Sequence, residues 1–540
     1  MKKITFILTL ALGFFAISCE SQLDIPQKSV IDTETAYTTA GPVEAKQFLA
    51  GIYRDFFSNV NDGCLRLALD VMADDNIAGG GGPQDDANQF QTCQDYRMTP
   101  TSWPAVNAYQ KFYANISLCN MFIDKVPNTV PGIQRMKDEA NFMRAVDMFN
   151  LIRWYGNPPL VEHQPNPDVP EEFYPANTDK KTSILWVLDR MKEAADALPA
   201  ISGKGQQASF PGGGGRVSKH AALAYMGKAA LWYGTRYNDS EILAMSVEPL
   251  KTVVNSNLYG LVDPSIIGRT SANYCSEYLF EHSVVVGDGF PTNQTRNDHQ
   301  WRTFRRECIQ PPTTVEEGWG FGGPSIAFAE FLMNHEGGID GPRFKSWIHT
   351  YEQVLELPVD PGMTAGINSF LYNTAYFRWR GLLFREDRMP GAPSGDYSSS
   401  ANIYFLRYAE VLLLYAEAQF LVNGDSDGSG LNALNQVRER ADLEPLATLT
   451  LQSIKDERRA ELWDEGERFF DLQRWGDAPA VLANKGKKVV RFFGYKPGTT
   501  EYDIREEAGK GEGWKDKYML FPYPTAQLSA NPNLVQNLGW

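Results

Sequence analysis

Histidine and cysteine are scarce, six of each in 540 residues, and neither is spaced to hold a metal. No CxxC pair occurs, and His163, His220, His282, His299, His335 and His349 never fall four apart, which excludes a zinc site of the usual kinds. His335-Glu336 begins an HExxH helix that does not continue. The glycine runs 79–82 and 212–215 lack a following Gly-Lys-Ser/Thr, so neither is a phosphate loop, and both read as flexible loops. Positive charge is short: 51 Lys and Arg against 66 Asp and Glu leave −15, which offers no general surface for nucleic acid. Beyond the N-terminus no apolar run approaches the length that spans a bilayer. Neither a metal nor a cofactor is expected.

What is present begins with Met1-Lys2-Lys3 and an apolar stretch from Ile4 to Ile17, a secretory signal too short to be a spanning helix. Ala16-Ile17-Ser18-Cys19 resembles a bacterial lipobox, which makes Cys19 the lipidated first residue of a tethered chain. Of the remaining cysteines, Cys64, Cys93, Cys119, Cys275 and Cys308, the first two are candidates for a bridge, and the odd count leaves a free thiol.

Residues 19–42 read as tether and extended leader. From 43 to 257 apolar residues recur at helical spacing, with helices expected over 43–57, from Pro104 onward, and over 133–155, 182–198, 217–234 and 240–257. Thr178 and Asp179 are caps for the fourth, and Pro249 kinks or restarts the last. A loop, 58–103, interrupts this part. Residues 258–404 are irregular and rich in rings, too long for a plain connection. From 405 to 540 the helical pattern returns, over 405–422, 430–441 and 453–475. Small residues such as Ala221, Ala229, Ala416 and Ala418 at helix crossings point to a mainly α, tetratricopeptide-like superhelix of degenerate pairs, because one pair alone leaves its apolar stripe uncovered. The irregular part forms a large ligand-binding subdomain on that frame, the whole being one integrated unit.

Aromatic residues make up 12% of the chain, with 12 tryptophans. Trp154, Trp186, Trp232 and Trp463 sit on amphipathic helices and read as core. Trp301 lies among Asp298, His299, Gln300 and Arg302, and Trp319 between Gly318 and Gly320. Such company suits a solvent-facing ring on which a sugar's C–H face can stack. Trp301 and Trp319 are therefore candidate platforms, joined by Tyr96 and Trp103 from the first loop, with Asp75 and Asn76 as hydrogen-bonding partners. Asp74-Asp75 and Asp85-Asp86 are the acids a glycosidase would need, yet neighbours in sequence do not establish the ~5–10 Å separation across a cleft. They read as solvated loop acids, and no catalytic residue is assigned.

Several longer segments resemble one family. RYAEVLLLYAEAQFLVNGD (407–425), LNALNQVRERADLEPL (431–446), IKDERRAELWDEGERFFDLQRWGD (454–477) and FPYPTAQLSANPNLVQNLGW (521–540) are similar, in order, to the motifs of the SusD/RagB family of Bacteroidetes outer-membrane lipoproteins. EANFMRAVDMFNLIRWYGNPPLV (139–161) and the leader SCESQLDIP (18–26) fit as well. These blocks read as frame: Glu457, Arg458, Arg459, Glu461, Glu465, Glu467 and Arg468 are i, i+3 and i, i+4 partners on one helix, each exposed pair adding ~0.2–0.5 kcal/mol. The resemblance implies a lipid-anchored outer-membrane protein facing outward. It would capture oligosaccharide without covalent chemistry and sit as the lid of a SusC-like TonB-dependent transporter. Peptide in place of glycan, a ligand-free helical scaffold and a glycosidase are the alternatives, in that order.

Overall fold

The computed structural model describes residues 33–61, 64–80, 89–211, 213–284, 302–306, 308–368, 374–391 and 398–540. Cys19, Trp301, Asp85 and Asp86 lie outside them, and the leader is described only from residue 33, where Thr33–Thr38 is a helix rather than extended chain, because buried Tyr37 stacks on Phe48 at 4.1 Å. The frame is a succession of helices: α1 Pro42–Asn61, α2 Trp103–Lys125, α3 Ile133–Tyr155, α4 Lys180–Ala197, α5 Lys219–Tyr237 and α6 Val247–Asn255. It resumes with α7 Tyr408–Asn423, α8 Ser429–Arg440, α9 Leu451–Glu461 and α10 Arg468–Arg474. From α1 to α8 each helix packs on the next, and α6 against α7 closes the frame across the irregular insertion.

Local chemistry sets the ends. Asp179 accepts from the Lys181 and Thr182 N–H groups at the start of α4, and Ser218 from Ala221 at the start of α5. Thr178 instead accepts the Leu160 N–H. Gly156 closes α3 and Gly424 closes α7 at positive φ, where a side chain would be strained. Pro249 is the third residue of α6, so it restarts the helix rather than kinking it; a separate turn, Ser240–Ala244, precedes it. Small residues allow the close crossings: Ala221, Ala229, Ala416 and Ala418 are all fully buried.

Two expectations fail. The 405–422 helix starts only at Tyr408, because Ile403–Arg407 is a strand paired antiparallel with Tyr278–His282. The 453–475 helix is two helices. Between α9 and α10, Asp464 takes φ 68° and Gly466 φ 77°, left-handed conformations that end a helix. The acids of this break and of α9 do not form exposed pairs along one helix. They are buried and reach far across the chain.

Glu461 is paired with Arg343 (3.1 Å), Arg407 (2.5 Å) and Arg440. Glu457 meets Arg343 at 2.7 Å and Arg438 at 3.1 Å. Asp464 holds Arg378 at 2.6 Å and also Arg302, and Glu465 holds Arg380 at 2.5 Å and Arg407 at 2.6 Å. Glu467 takes Lys228 of α5 at 2.9 Å and Arg153 of α3 at 3.1 Å. Buried charges are tolerated only when paired and hydrogen-bonded.

The irregular part has its own small cores. Phe304, Phe377, Phe384 and Phe492 fill one; Phe328, Phe344 and Trp347 meet Trp463 in another, with Phe328 and Trp463 stacked at 5.1 Å. Most rings of 258–404 that the structure describes are therefore interior packing.

Burial alone would raise the Glu457 carboxyl, but Arg343 and His335 outweigh it and hold it at about 2. In the unfolded chain it returns to about 4.3. Its contribution is thus present above that pH and lost as pH falls through the folded value. Glu457→Gln should lose about 3 kcal/mol at neutral pH by denaturant unfolding, and the gap to the parent should close between about pH 5 and about pH 2. A gap that stays constant over that range would assign the loss to packing rather than charge.

Candidate functional site

The expected loop 58–103 is in part helical, with Pro42–Asn61 running into it and helices at Cys64–Met72 and Gln89–Gln94, and its segment 75–79 meets the irregular part in a short antiparallel seam. Ile77 N–H donates to Gly323 O (2.9 Å), Gly322 N–H to Ala78 O (2.9 Å) and Ser325 N–H to Asp75 O (2.8 Å), with bridges Asn76–Pro324 and Gly79–Phe321. Gly79 and Gly80 have φ +63° and +70°. A Cβ on Gly79 would stand 2.7 Å from Gly320 O, and one on Gly80 2.4 Å from the Phe321 ring. These two glycines are packed seam residues, not a flexible loop; 81 and 82 lie outside the described residues.

Trp319 stands at the end of the seam with 42% of its surface open to solvent. Its neighbours are pinned: Gly318 N–H donates to Phe304 O (2.5 Å) and Gly320 N–H to Thr303 O (2.8 Å). The Arg305 guanidinium lies 5.8 Å from the indole centroid and also donates to Gly80 O. The ring is exposed while its backbone is fixed on both sides. Beneath it, buried Arg302 binds Asp464 and, at 3.3 Å, Asp70, whose other oxygen accepts the Gly466 N–H at 2.8 Å.

The remaining expected site residues fare differently. Tyr96 is only 3% exposed; its hydroxyl donates to Met72 O (2.6 Å), and its ring packs against Tyr518 (4.8 Å) and Trp514 (5.6 Å). It is core, not a platform. Asp75, 2% exposed, is clamped by Arg459 at 2.6 Å. Asn76, equally buried, donates to Gly322 O at 3.0 Å. Both face the frame, since the seam turns them inward, and neither is open to a ligand. Trp103, the first residue of α2, is half-buried against the main core. Trp301 lies outside the described residues.

The acids weighed for glycoside hydrolysis are also committed. Asp74 pairs with Arg468 at 2.9 Å; burial would raise its carboxyl, but Arg468 and Arg459 bring it to about 2. Asp74 and Asp75 are thus ion-paired frame residues rather than solvated loop acids. Gly424-Asp425-Ser426-Asp427-Gly428 spells G-x-S-x-G, the pattern of a strand-to-helix nucleophile turn; here it joins helix α7 to helix α8.

Cys93 is a free buried thiol, so the bridge with Cys64 is not formed. Among the described residues no group of three or more His, Cys, Asp or Glu is arranged to hold a metal, and no helix is long and apolar enough to cross a membrane. Two residues went unmarked in the sequence. Arg305 braces Trp319, and its only signal was its place in a basic run beside Trp301. Trp379, one of the rings of the irregular part, lines a cleft about 170 Å³ in volume.

Comparison with known proteins gives a consistent result. Residues 362–540 match the sequence model of the SusD family. A SusD-like protein of Bacteroides ovatus is 25% identical, over 94% of this chain and 88% of its own length. The starch-binding protein SusD of Bacteroides thetaiotaomicron is 28% identical, over 84% of this chain and 82% of its own. The structure of a laminarin binding SusD-like protein superimposes with a TM-score of 0.71 at 24% identity, covering 93% of this chain and all of that one.

Asp70 generates a test of the anchor below Trp319. Burial first, then the neighbouring Asp464 charge, raise its carboxyl to about 7, against about 3.9 unfolded. A raised carboxyl favours folding when protonated, so its contribution is full below the unfolded value and is lost as pH rises toward 7. Asp70→Asn should therefore gain stability relative to the parent as pH is taken from about 4 to about 7.5. A difference independent of pH in unfolding titrations would contradict the burial argument.

Proposed function

We propose that this SusD-like chain captures oligosaccharide on an open aromatic surface and passes it on chemically intact. The carrying observation is Trp319: a large ring 42% exposed, on a backbone fixed by the seam and by buried ion pairs. A ring held this way loses little freedom when a ligand stacks on it, which is what makes a weak contact usable. One stacked ring adds about 1 kcal/mol, far below the ~4 kcal/mol of even millimolar binding. Capture therefore needs an extended ligand touching further rings and donors, and Trp103 and Trp301 are the proposed additional platforms. The names of the relatives, starch-binding and laminarin binding, support glycan as cargo.

The proposal extends to location and partner. Cys19 would carry the lipid that tethers the chain to the outer membrane, facing outward, and the cargo would pass to a SusC-like TonB-dependent transporter over which the chain acts as lid. Cys19→Ala should shift the protein from the membrane to the soluble fraction on detergent-free fractionation, and unchanged membrane retention would sink the anchor.

Trp319→Ala should weaken binding of its best glycan about fivefold by titration calorimetry, with the melting temperature unchanged because the ring is open. A parallel peptide panel separates the cargo classes. Saturable peptide binding, with no glycan bound, would replace this reading by its peptide-binding counterpart.

A further inference from the structure

The cleft lined by Trp379 is separate from the Trp319 surface and is not explained by the frame. Ser265, Ile267 and Arg269 form one wall, Lys345 and Ser346 another, and Trp379 to Phe384 the third. It lies between three chain segments, the first and last of them more than 100 residues apart. Its volume, about 170 Å³, is below the ~300–1,000 Å³ of sites that enclose drug-sized molecules. A single ring fits; a length of chain does not.

The lining is a ring surrounded by hydrogen-bond donors. Trp379 is half-buried, held by its N–H to Trp347 O (2.7 Å) and edge-on to Phe384 at 5.3 Å. Its indole N–H makes no hydrogen bond among the described residues. Arg269 is stacked 3.6 Å over Phe384 and fixed through Nε to Asp387 and Nη2 to Glu386, which leaves Nη1 without a partner among the described residues. Lys345 Nζ has only an exposed contact to Asp340 at 3.1 Å, a pair worth little in water. Ser346 Oγ donates to Pro342 O (2.6 Å) and keeps lone pairs to accept.

Charge decides the ligand class. Arg269 and Lys345 are already balanced by Glu386, Asp387 and Asp340, and Arg380 by Glu465. The cleft therefore holds one fixed donor group, on Arg269, and one mobile one, on Lys345, each with a carboxylate beside it. An acidic group would compete with the carboxylates already paired to Arg269 and Lys345. A neutral, acceptor-rich ring with an apolar face would not.

From this arrangement we infer that the Trp379 cleft is a second sugar-binding subsite, taking one neutral pyranose unit against the indole, with its hydroxyl oxygens accepting from Arg269, Lys345 and the Trp379 N–H. The inference rests on the glycan-binding reading above and adds a site to it.

The test uses the full soluble chain and a panel of neutral glycans that includes laminarin oligosaccharides, read by calorimetry for stoichiometry and affinity. With oligosaccharides long enough to reach further rings and donors beside each platform, the parent should bind two per chain. Trp379→Ala should remove one of them, or weaken it about fivefold, while Trp319→Ala does the same to the other. Because Trp379 packs partly on the core, Ser265→Trp serves as the second variant: Ser265 is exposed, and a large side chain there fills the cleft without altering Trp379. Two sites in the parent and one in Ser265→Trp, at an unchanged melting temperature, carry the inference. One site in the parent, lost in Trp319→Ala and untouched in both cleft variants, overturns it and leaves the glycan-binding reading standing. No binding by any glycan of the panel overturns both. Tighter binding of a uronate-terminated oligosaccharide, lost in Lys345→Ala, overturns the neutral assignment.

Discussion

The structure depends on the pairing of buried carboxylates between α9 and α10 with guanidinium groups delivered from elsewhere. Glu461, Asp464, Glu465 and Glu467 are all nearly inaccessible, and their partners come from α3, α5, β-strand residues 378 and 407, and the irregular segments at 302, 343 and 380. Taking each ion from water costs several kcal/mol, and attraction inside the protein roughly offsets this when the geometry is good. Such a network therefore adds little net stability. Its effect is geometric: each arginine has few acceptable positions, and removing any member leaves a charge without compensation. In this way the irregular subdomain is registered against the frame with a precision that its small cores would not supply.

That registration links frame to surface. Arg302 is held by Asp464 and Asp70 only one residue after Trp301, and the chain then runs through Thr303 and Phe304, which hold Gly320 and Gly318 on either side of Trp319. The exposed indole is thus tied to a fully buried ion cluster through two backbone hydrogen bonds, one on each side of the ring. Preorganisation of this kind is how a surface with few contacts avoids the ordering cost that weakens flexible binders.

The sequence made the frame helices legible because their signals are local: 3.6-residue periodicity, and Asp179 as a cap. It misrepresented the Glu-Arg-rich block for the same reason. Partners three and four apart on a presumed helix were visible, whereas Asp464 with Arg302 and Arg378, or Asp75 with Arg459 across 384 residues, carry no local trace. The one available warning was Asp464-Glu465-Gly466, a poor helix interior. The same limit applies to the candidate site. Exposure of Trp319 between two glycines was readable from composition. The burial of Tyr96, Asp75 and Asn76 was not, because polar residues near a glycine run look identical whether a seam turns them outward or inward. The ring surplus of 258–404 read as binding surface, and most of the described part of it is packing inside two small cores.

The long reach of the ion pairs has a consequence for biosynthesis. The segment Cys64–Met72 buries Leu65, Leu67, Leu69, Val71 and Met72, and the adjacent Asp70, Asp74 and Asp75 find their partners at 459, 466 and 468. Asp74 and Asp75 gain their compensating charges only when Arg459 and Arg468 are in place, so the ion pairing of the N-terminal part is completed only by the whole chain.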